Sequence, residues 1–132
     1  MNRSIAVLCA VGLLSAWVVA FQSERTVWEG VYTEEQARRG QAVFGVSCAR
    51  CHAPEDFSSE TFLTSWENST ALDLLRLVQR TMPMDEPGSL RPENYADVVA
   101  YFFSLNAFPA GKTELDTDAQ RLGLIRIKAK NE

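Results

Sequence analysis

The sequence predicts an all-α fold with three main helices, because three separate segments carry helical signals. The first helix begins at a capping box formed by Thr33 and Gln36 and runs toward Val46. The third begins at Pro92, which suits the first turn of a helix, and ends near Leu105. We expect amphipathic helices that bury their apolar faces together. The apolar residues at helical spacing are Leu72, Leu75 and Val78 in the second helix, and Tyr95, Val98, Val99, Phe102 and Leu105 in the third.

Length and composition indicate one globular domain preceded by a targeting segment. The chain has 132 residues, of which 46% are hydrophobic and 23% are charged, an ordinary balance for a globular chain. We interpret residues 1–20 as a signal peptide or uncleaved anchor, residues 21–116 as the domain, and residues 117–132 as a tail that packs on it. The tail is expected to contain a short helix near Thr117 and an extended segment from Leu124 to Ile127.

The first twenty residues have the features of an export signal. Arg3 supplies a positive charge, residues 5–20 are free of charge, and Val18 and Ala20 suit peptidase cleavage. A membrane anchor at residues 5–21 is the alternative, because the uncharged run is about as long as the shortest spanning helices. We therefore expect a periplasmic or otherwise exported protein that contacts a membrane only if this segment is retained.

The net charge of the chain argues against nucleic acid as a partner. Arg3 is the one charged residue among the first twenty, so the rest of the chain has one fewer than the 13 basic residues and all 17 acidic residues. Nucleic-acid binding relies on Lys and Arg that neutralise phosphates, so no such partner is expected. An acidic protein docks more readily on a basic surface of a partner protein.

The strongest signal is the run Cys48-Ala49-Arg50-Cys51-His52, which has the spacing of a covalent haem attachment site. The two thiols add across the haem vinyl groups as thioethers, and the adjacent imidazole becomes the proximal ligand of the iron. A disulfide leaves His52 unexplained, a zinc site lacks a second pair of ligands, and a thioredoxin-like pair lacks the surrounding βαβ pattern. We therefore predict one haem c held by Cys48, Cys51 and His52.

The second axial ligand is expected to be a methionine. His52 is the only histidine in the chain, so two histidines of this chain cannot share one haem, and a thioether is the natural alternative. Beyond the signal segment the chain has two methionines, Met82 and Met84, both on a loop stiffened by Pro83. If neither thioether reaches the iron, the haem is open on that side and able to bind small gases.

These residues together resemble the pattern of class I c-type cytochromes. Gly40 and Phe44 precede the Cys48–His52 motif at the family's positions for a glycine and, four residues later, an aromatic residue. The resemblance implies the cytochrome c fold, with three main helices around one covalently bound haem and the first and third helices crossing at Gly40. It also implies Met82 as the distal ligand, since the family often places that methionine directly before a proline, with Met84 as the second choice.

A set of shorter segments resembles a narrower subgroup, the exported bacterial monohaem cytochromes that are partners of PQQ-dependent alcohol dehydrogenases. The residues that carry this resemblance are Trp28–Thr33, Met82–Pro83, Pro87–Leu90, Tyr95, Ala100–Tyr101, Asn106 and Phe108–Gly111. The chain departs from the subgroup at Ala53–Asp56, which replaces a longer Gly-rich stretch, and at Arg91, where a capping serine or threonine is usual. The resemblance implies redox protein partners: a periplasmic dehydrogenase of the quinoprotein type as electron donor, and an oxidase or another cytochrome as acceptor.

Thioether ligation favours electron transfer over catalysis, because it raises the reduction potential and fills the coordination sphere of the iron. We therefore interpret the chain as an electron carrier and not as an enzyme. A haem-based gas sensor or a small peroxidase is the alternative function, and it requires an open distal site. A permanent haem subunit of a dehydrogenase complex is a third possibility.

Overall fold

A computed structural model of the protein describes residues 23–129, which form a helical domain. The predicted signal peptide (residues 1–20) and the alternative anchor (residues 5–21) lie outside the described residues. No helix within residues 23–129 is long and apolar enough to cross a membrane. The elements are helices α1 (Glu34–Ser47), α2 (Glu60–Trp66), α3 (Ala71–Thr81), α4 (Pro92–Leu105) and α5 (Ala119–Gly123), 3₁₀ helices at Val27–Glu29 and Pro54–Phe57, and strands β1 (Arg25–Thr26) and β2 (Ile125–Arg126).

Helices α1 and α4 cross at Gly40. The Thr33 side chain caps α1 by accepting a hydrogen bond from the Gln36 backbone N–H at 3.1 Å. Only this half of the predicted capping box forms, because the Gln36 side chain pairs with the backbone of Leu115. A Cβ atom at Gly40 would lie 1.8 Å from the carbonyl oxygen of Asp97 in α4, so a larger residue would push the two backbones apart. The Arg39 guanidinium donates to both carboxylate oxygens of Asp97, at 3.0 and 3.1 Å. The predicted crossing of the first and third main helices is confirmed.

Helix α4 forms the centre of the hydrophobic core. Every residue from Tyr95 to Phe103 is buried, although the sequence pattern predicts one apolar face. The reason is that α1 packs along one side of α4 while α3 and the 3₁₀ helix at Pro54–Phe57 cover others. The one charged residue in this buried stretch, Asp97, is neutralised by Arg39.

Helix α3 is stabilised by a capping box at its start and by apolar residues that pack on the core. The Thr70 hydroxyl accepts from the Asp73 backbone N–H at 3.1 Å, and the Asp73 carboxylate accepts from the Thr70 backbone N–H at 2.9 Å. This capping box satisfies two backbone donors at the start of the helix. Leu74 and Leu75 are buried against the core. The helix ends at Thr81, immediately before the methionine loop.

The sequence does not predict α2. Residues 53–70 show no clear helical period, yet the structure has a 3₁₀ helix at Pro54–Phe57 and a two-turn helix at Glu60–Trp66. Local capping explains α2, because the Ser59 hydroxyl accepts from the Phe62 backbone N–H at 3.1 Å. Seven residues are too few for a hydrophobic period to be recognised.

The two ends of the described chain are joined. Strand β1 pairs in parallel with β2, with Arg25 opposite Ile125. Helix α5 begins at Ala119, two residues after the expected Thr117, because Asp118 is the residue that caps it. The tail is anchored by Leu122, Ile125 and Ile127, which are all buried.

Candidate haem site

The Cys48–His52 motif lies in a tight turn at the end of α1. Cys48 is the C-cap residue, and its backbone N–H donates to the Phe44 carbonyl at 2.8 Å. The backbone N–H groups of Cys51 and His52 both donate to the Cys48 carbonyl, at 3.1 and 3.0 Å. The two thiols are not joined in a disulfide, and burial raises the pKa of Cys48. This turn therefore presents two free thiols and one imidazole within a single short stretch.

An apolar cleft opens beside the motif. It consists of two cavities of about 220 and 210 Å³ that share Cys48, His52 and Met82 in their linings. The second cavity also reaches Cys51 and Met84. A flat apolar group attached at the cysteines fits such a cleft, because most of the lining carries no charge. The other residues lining the first cavity are Phe57, Phe62, Trp66, Leu74, Leu77, Val78, Thr81 and Phe102.

Phe57 is a residue of the site that sequence reasoning missed. Its ring stacks on Phe102 of α4, with centroids 4.1 Å apart and an interplanar angle of 5°. It also contacts the imidazole of His52 edge-on, with centroids 5.4 Å apart, and the ring of Phe44 at 5.7 Å. Phe57 therefore connects the histidine to the core. The signal in the sequence is faint, since Phe57 stands alone in a polar run.

Asn106 holds Phe57 in place from the end of α4. Its side-chain amide donates to the Phe57 carbonyl and to the Phe102 carbonyl, both at 2.7 Å. The Oδ1 atom of Asn106 is buried and finds no hydrogen-bond partner among the described residues. Because both amide protons are used, the loop after His52 is tied directly to the central helix.

The carboxylate of Asp56 lies near the imidazole of His52. Asp56 Oδ2 is 3.8 Å from His52 Nδ1, beyond hydrogen-bond distance, and it accepts from the Ala53 backbone N–H at 3.0 Å. The carboxylate therefore caps the 3₁₀ helix that follows the motif. His52 itself is partly exposed, as expected for a side chain that lines an open cleft.

The two candidate methionines occupy different environments. Met82 is the C-cap residue of α3, where its backbone N–H donates to the Val78 carbonyl at 2.8 Å. It lines both cavities, whereas Met84 lines one of them and is 74% exposed. The peptide bond between Met82 and Pro83 is cis. Of the two, only Met82 lines the first cavity together with the core residues Leu74 and Phe102.

An exposed ion pair joins the motif to the methionine loop. Arg50, between the two cysteines, donates to the Asp85 carboxylate at 2.9 Å. Both residues line the second cavity, and Arg50 stays largely exposed to solvent despite its partner. Both side chains are more than half exposed, so the pair contributes little to stability.

Comparison with known proteins gives one family. The family described as cytochrome c oxidase, cbb3-type, subunit III matches residues 35–102, about half of the chain. Neither the curated proteins nor the solved structures include a significant match. The matched residues contain the crossing of Gly40 with Asp97, the whole Cys48–His52 motif and Met82. The chain therefore belongs to this family of c-type cytochrome domains, has the all-α cytochrome c fold, and carries covalently bound haem c for electron transfer.

Proposed function

We propose that the protein is an exported carrier of single electrons, with a haem c ligated by His52 and Met82. In this proposal Cys48 and Cys51 form the two thioether links, and Met82 is preferred to Met84. The observation that carries the proposal is the apolar cleft, since Cys48, His52 and Met82 all line both of its cavities. Bound haem would supply the one-electron chemistry of iron.

The side chains of the cleft have the properties that this role requires. Phe57, Phe62 and Phe102 surround the motif with aromatic rings, which exclude water from the side of the core. A low local dielectric keeps solvent reorganisation small when the charge of the site changes by one electron. Among residues 23–129, the charged side chains that line the cleft besides the proposed haem ligands are Arg50 and Asp85, which pair with each other at its exposed edge.

The absorption spectrum of the holoprotein tests this function. The protein is matured in a host that attaches c-type haem, recorded oxidised and reduced, and then exposed to carbon monoxide. We expect a low-spin spectrum, a weak far-red sulfur-to-iron charge-transfer band in the oxidised form, and no response of the reduced form to carbon monoxide. A high-spin haem that binds the gas would contradict the proposal and would favour the gas sensor or peroxidase.

We further propose that the electron donor is a periplasmic dehydrogenase, of the quinoprotein type by resemblance, and that the acceptor is an oxidase or another cytochrome. The name of the matched family, which refers to a cytochrome c oxidase subunit, is in keeping with an oxidase as acceptor. Val46 and Met84 are 80% and 74% exposed beside the motif and the loop, where they offer apolar contact area to a partner. The acidic net charge favours a partner with a basic surface.

The same proposal includes export through residues 1–20, or anchoring through residues 5–21, and a haem domain at residues 21–116 followed by the tail. Purification of the native protein at high salt separates a diffusing carrier from a permanent subunit. A diffusing carrier elutes alone, because its docking depends on charge and is screened by salt. Elution with a large partner would instead identify a permanent haem subunit.

A further inference from the structure

A small number of hydrogen bonds hold the loop that carries Met82. It runs from Met82, at the end of α3, to Arg91, at the start of α4. Within it, the Glu86 backbone N–H donates to the Pro83 carbonyl at 3.0 Å and the Ser89 backbone N–H to the Glu86 carbonyl at 3.2 Å. These bonds shape the middle of the loop and do not tie either of its ends to the central helix α4.

The hydroxyl of Tyr95 holds both ends. Tyr95 is fully buried in α4, with 0% of its surface exposed. Its hydroxyl donates to the Met82 carbonyl at 2.9 Å and accepts from the Leu90 backbone N–H at 3.3 Å. The Met82 carbonyl also accepts a longer bond from the Gly88 N–H, at 3.4 Å. One buried oxygen atom thus ties the first and the ninth residues of the loop to the central helix.

We infer that Tyr95 is a positioning residue that holds Met82 in place as the distal ligand of the iron. This inference rests on the proposed function, in which Met82 is that ligand. The physical reason is that a thioether competes with external ligands for the iron, and it competes best when its backbone cannot move away. Tyr95 does not touch the cleft itself, because it is absent from the linings of both cavities. It acts through the backbone of Met82.

A second buried tyrosine provides a matched control. The Tyr32 hydroxyl donates to the Phe108 carbonyl at 2.6 Å, and Tyr32 is 3% exposed. It too is a buried phenol on a backbone carbonyl, but it lines neither cavity of the cleft. Tyr32→Phe and Tyr95→Phe therefore remove the same buried hydroxyl, which makes one hydrogen bond in Tyr32 and two in Tyr95. Both should lower the thermal stability of the holoprotein, Tyr95→Phe by at least as much as Tyr32→Phe.

The test is to titrate the oxidised holoprotein with imidazole and to measure binding as the loss of the far-red band. The titration compares the wild type with Tyr95→Phe and Tyr32→Phe. We expect the apparent affinity for imidazole to rise about threefold to tenfold in Tyr95→Phe, the factor expected from losing the one hydrogen bond that reaches the Met82 carbonyl. In Tyr32→Phe it should change by less than about twofold, since this bond lies elsewhere. An unchanged affinity in Tyr95→Phe, or an equal rise in both variants, would overturn the inference.

Met82→Ala separates failure of this inference from failure of the proposed function. If the oxidised wild type has the far-red band and Met82→Ala lacks it, Met82 is the ligand and the tyrosine comparison is decisive. If Met82→Ala keeps the band, the proposed ligation is wrong and the inference about Tyr95 is overturned with it. If the wild type has no band, the result again counts against both.

Discussion

At the scale of single residues, Gly40 permits the closest approach between the two main crossing helices. Gly40 allows α1 to meet α4 so closely that a methyl group would overlap the Asp97 carbonyl. Glycine in mid-helix costs about 1 kcal/mol relative to alanine, so α1 accepts that loss in order to pack against α4. The motif begins eight residues later, which means that the same helix also positions the haem-binding cysteines.

Gly40→Ala should lower the free energy of unfolding of the holoprotein by about 1–3 kcal/mol, the usual range for overpacking a core. Gly45→Ala is the control in the same helix, because a Cβ placed there meets no atom of residues 23–129 within 4 Å apart from its chain neighbours and the backbone of its own helix. That substitution should be neutral or stabilise by up to about 1 kcal/mol. Denaturant unfolding followed by circular dichroism measures both. Equal effects of the two substitutions would contradict the crossing.

At the scale of helices, α3 matters because it ends at Met82 and forms a wall of the cleft. Its start is fixed by the Thr70–Asp73 capping box, in which the Asp73 carboxylate accepts bonds from both the hydroxyl and the backbone of Thr70. These bonds lower the pKa of Asp73 from its ordinary value of 3.8, with a smaller contribution from the charge of Arg76. The ionised carboxylate is therefore favoured in the folded protein.

Asp73→Ala should reduce the unfolding free energy by about 0.5–2 kcal/mol at neutral pH, the cost of losing the bonds that its carboxylate accepts from Thr70 in the capping box. Since the folded pKa is below the unfolded one, this contribution is fully present above pH 3.8 and is lost as the pH falls through the lower folded value. The difference between wild type and variant should therefore shrink in acid. Unfolding curves between neutral pH and pH 3 measure it, and a difference that grew in acid would contradict the linkage.

Glu93→Ala is the control for Asp73→Ala, because Glu93 is also in the first turn of a helix. The cap of that helix is Arg91, whose side chain makes no capping hydrogen bond within the described part of the chain. Only a weak interaction with the helix dipole is lost there, worth about 0.3–1 kcal/mol. The departure from the subgroup at Arg91 thus leaves α4 without a side-chain cap, and burial of nearly the whole helix compensates for it.

At the scale of the whole molecule, the haem cleft is lined by two residues of the buried core and by several apolar residues that pack against it. Leu74 and Phe102 are buried residues that also line it, as do the half-buried Phe57 and Phe62. A domain of this size has little apolar area to spare. Without haem, these side chains would face water across the cleft. The haem should therefore contribute to folding as any tightly bound group does.

The double variant Cys48→Ala, Cys51→Ala, which cannot attach haem, should lose most of the helical far-ultraviolet signal of the holoprotein. Arg50→Ala is the control, because it changes the same motif and leaves both thiols in place. It should attach haem and keep native helicity, since its ion pair with Asp85 is exposed. Native-like helicity in the haem-free double variant would contradict the role of haem in the core.

Local sequence patterns predict those features of the structure that arise from residues close together in the chain. The capping box at Thr33, the helix after Pro92 and the Cys48–His52 spacing are all of this kind, and the structure has both helices. The crossing at Gly40 could be predicted only through resemblance to a family. Contacts that join distant residues were not predictable, because no single stretch of sequence contains them.

The interactions that sequence reasoning missed are accordingly long-range. Phe57 stacks on Phe102, forty-five residues further along the chain, and β1 pairs with β2 at the far end of the domain. The sequence predicts that Tyr95 lies on the buried face of its helix. It does not predict the hydrogen bond from the Tyr95 hydroxyl to the Met82 carbonyl, because that bond depends on how α3 packs against α4. The sequence thus predicts the candidate ligands, and the structure adds what supports them.

The ligation of iron by Met82 is tested most directly by the far-red sulfur-to-iron band of the oxidised holoprotein in Met82→Ala and Met84→Ala. We expect Met82→Ala to lose the band, to have a lower reduction potential and to bind carbon monoxide when reduced, because the distal site is then open. Met84→Ala should keep the band and remain insensitive to the gas, since that side chain is largely exposed. Loss of the band in Met84→Ala alone, or its persistence in both variants, would contradict the ligation of iron by Met82.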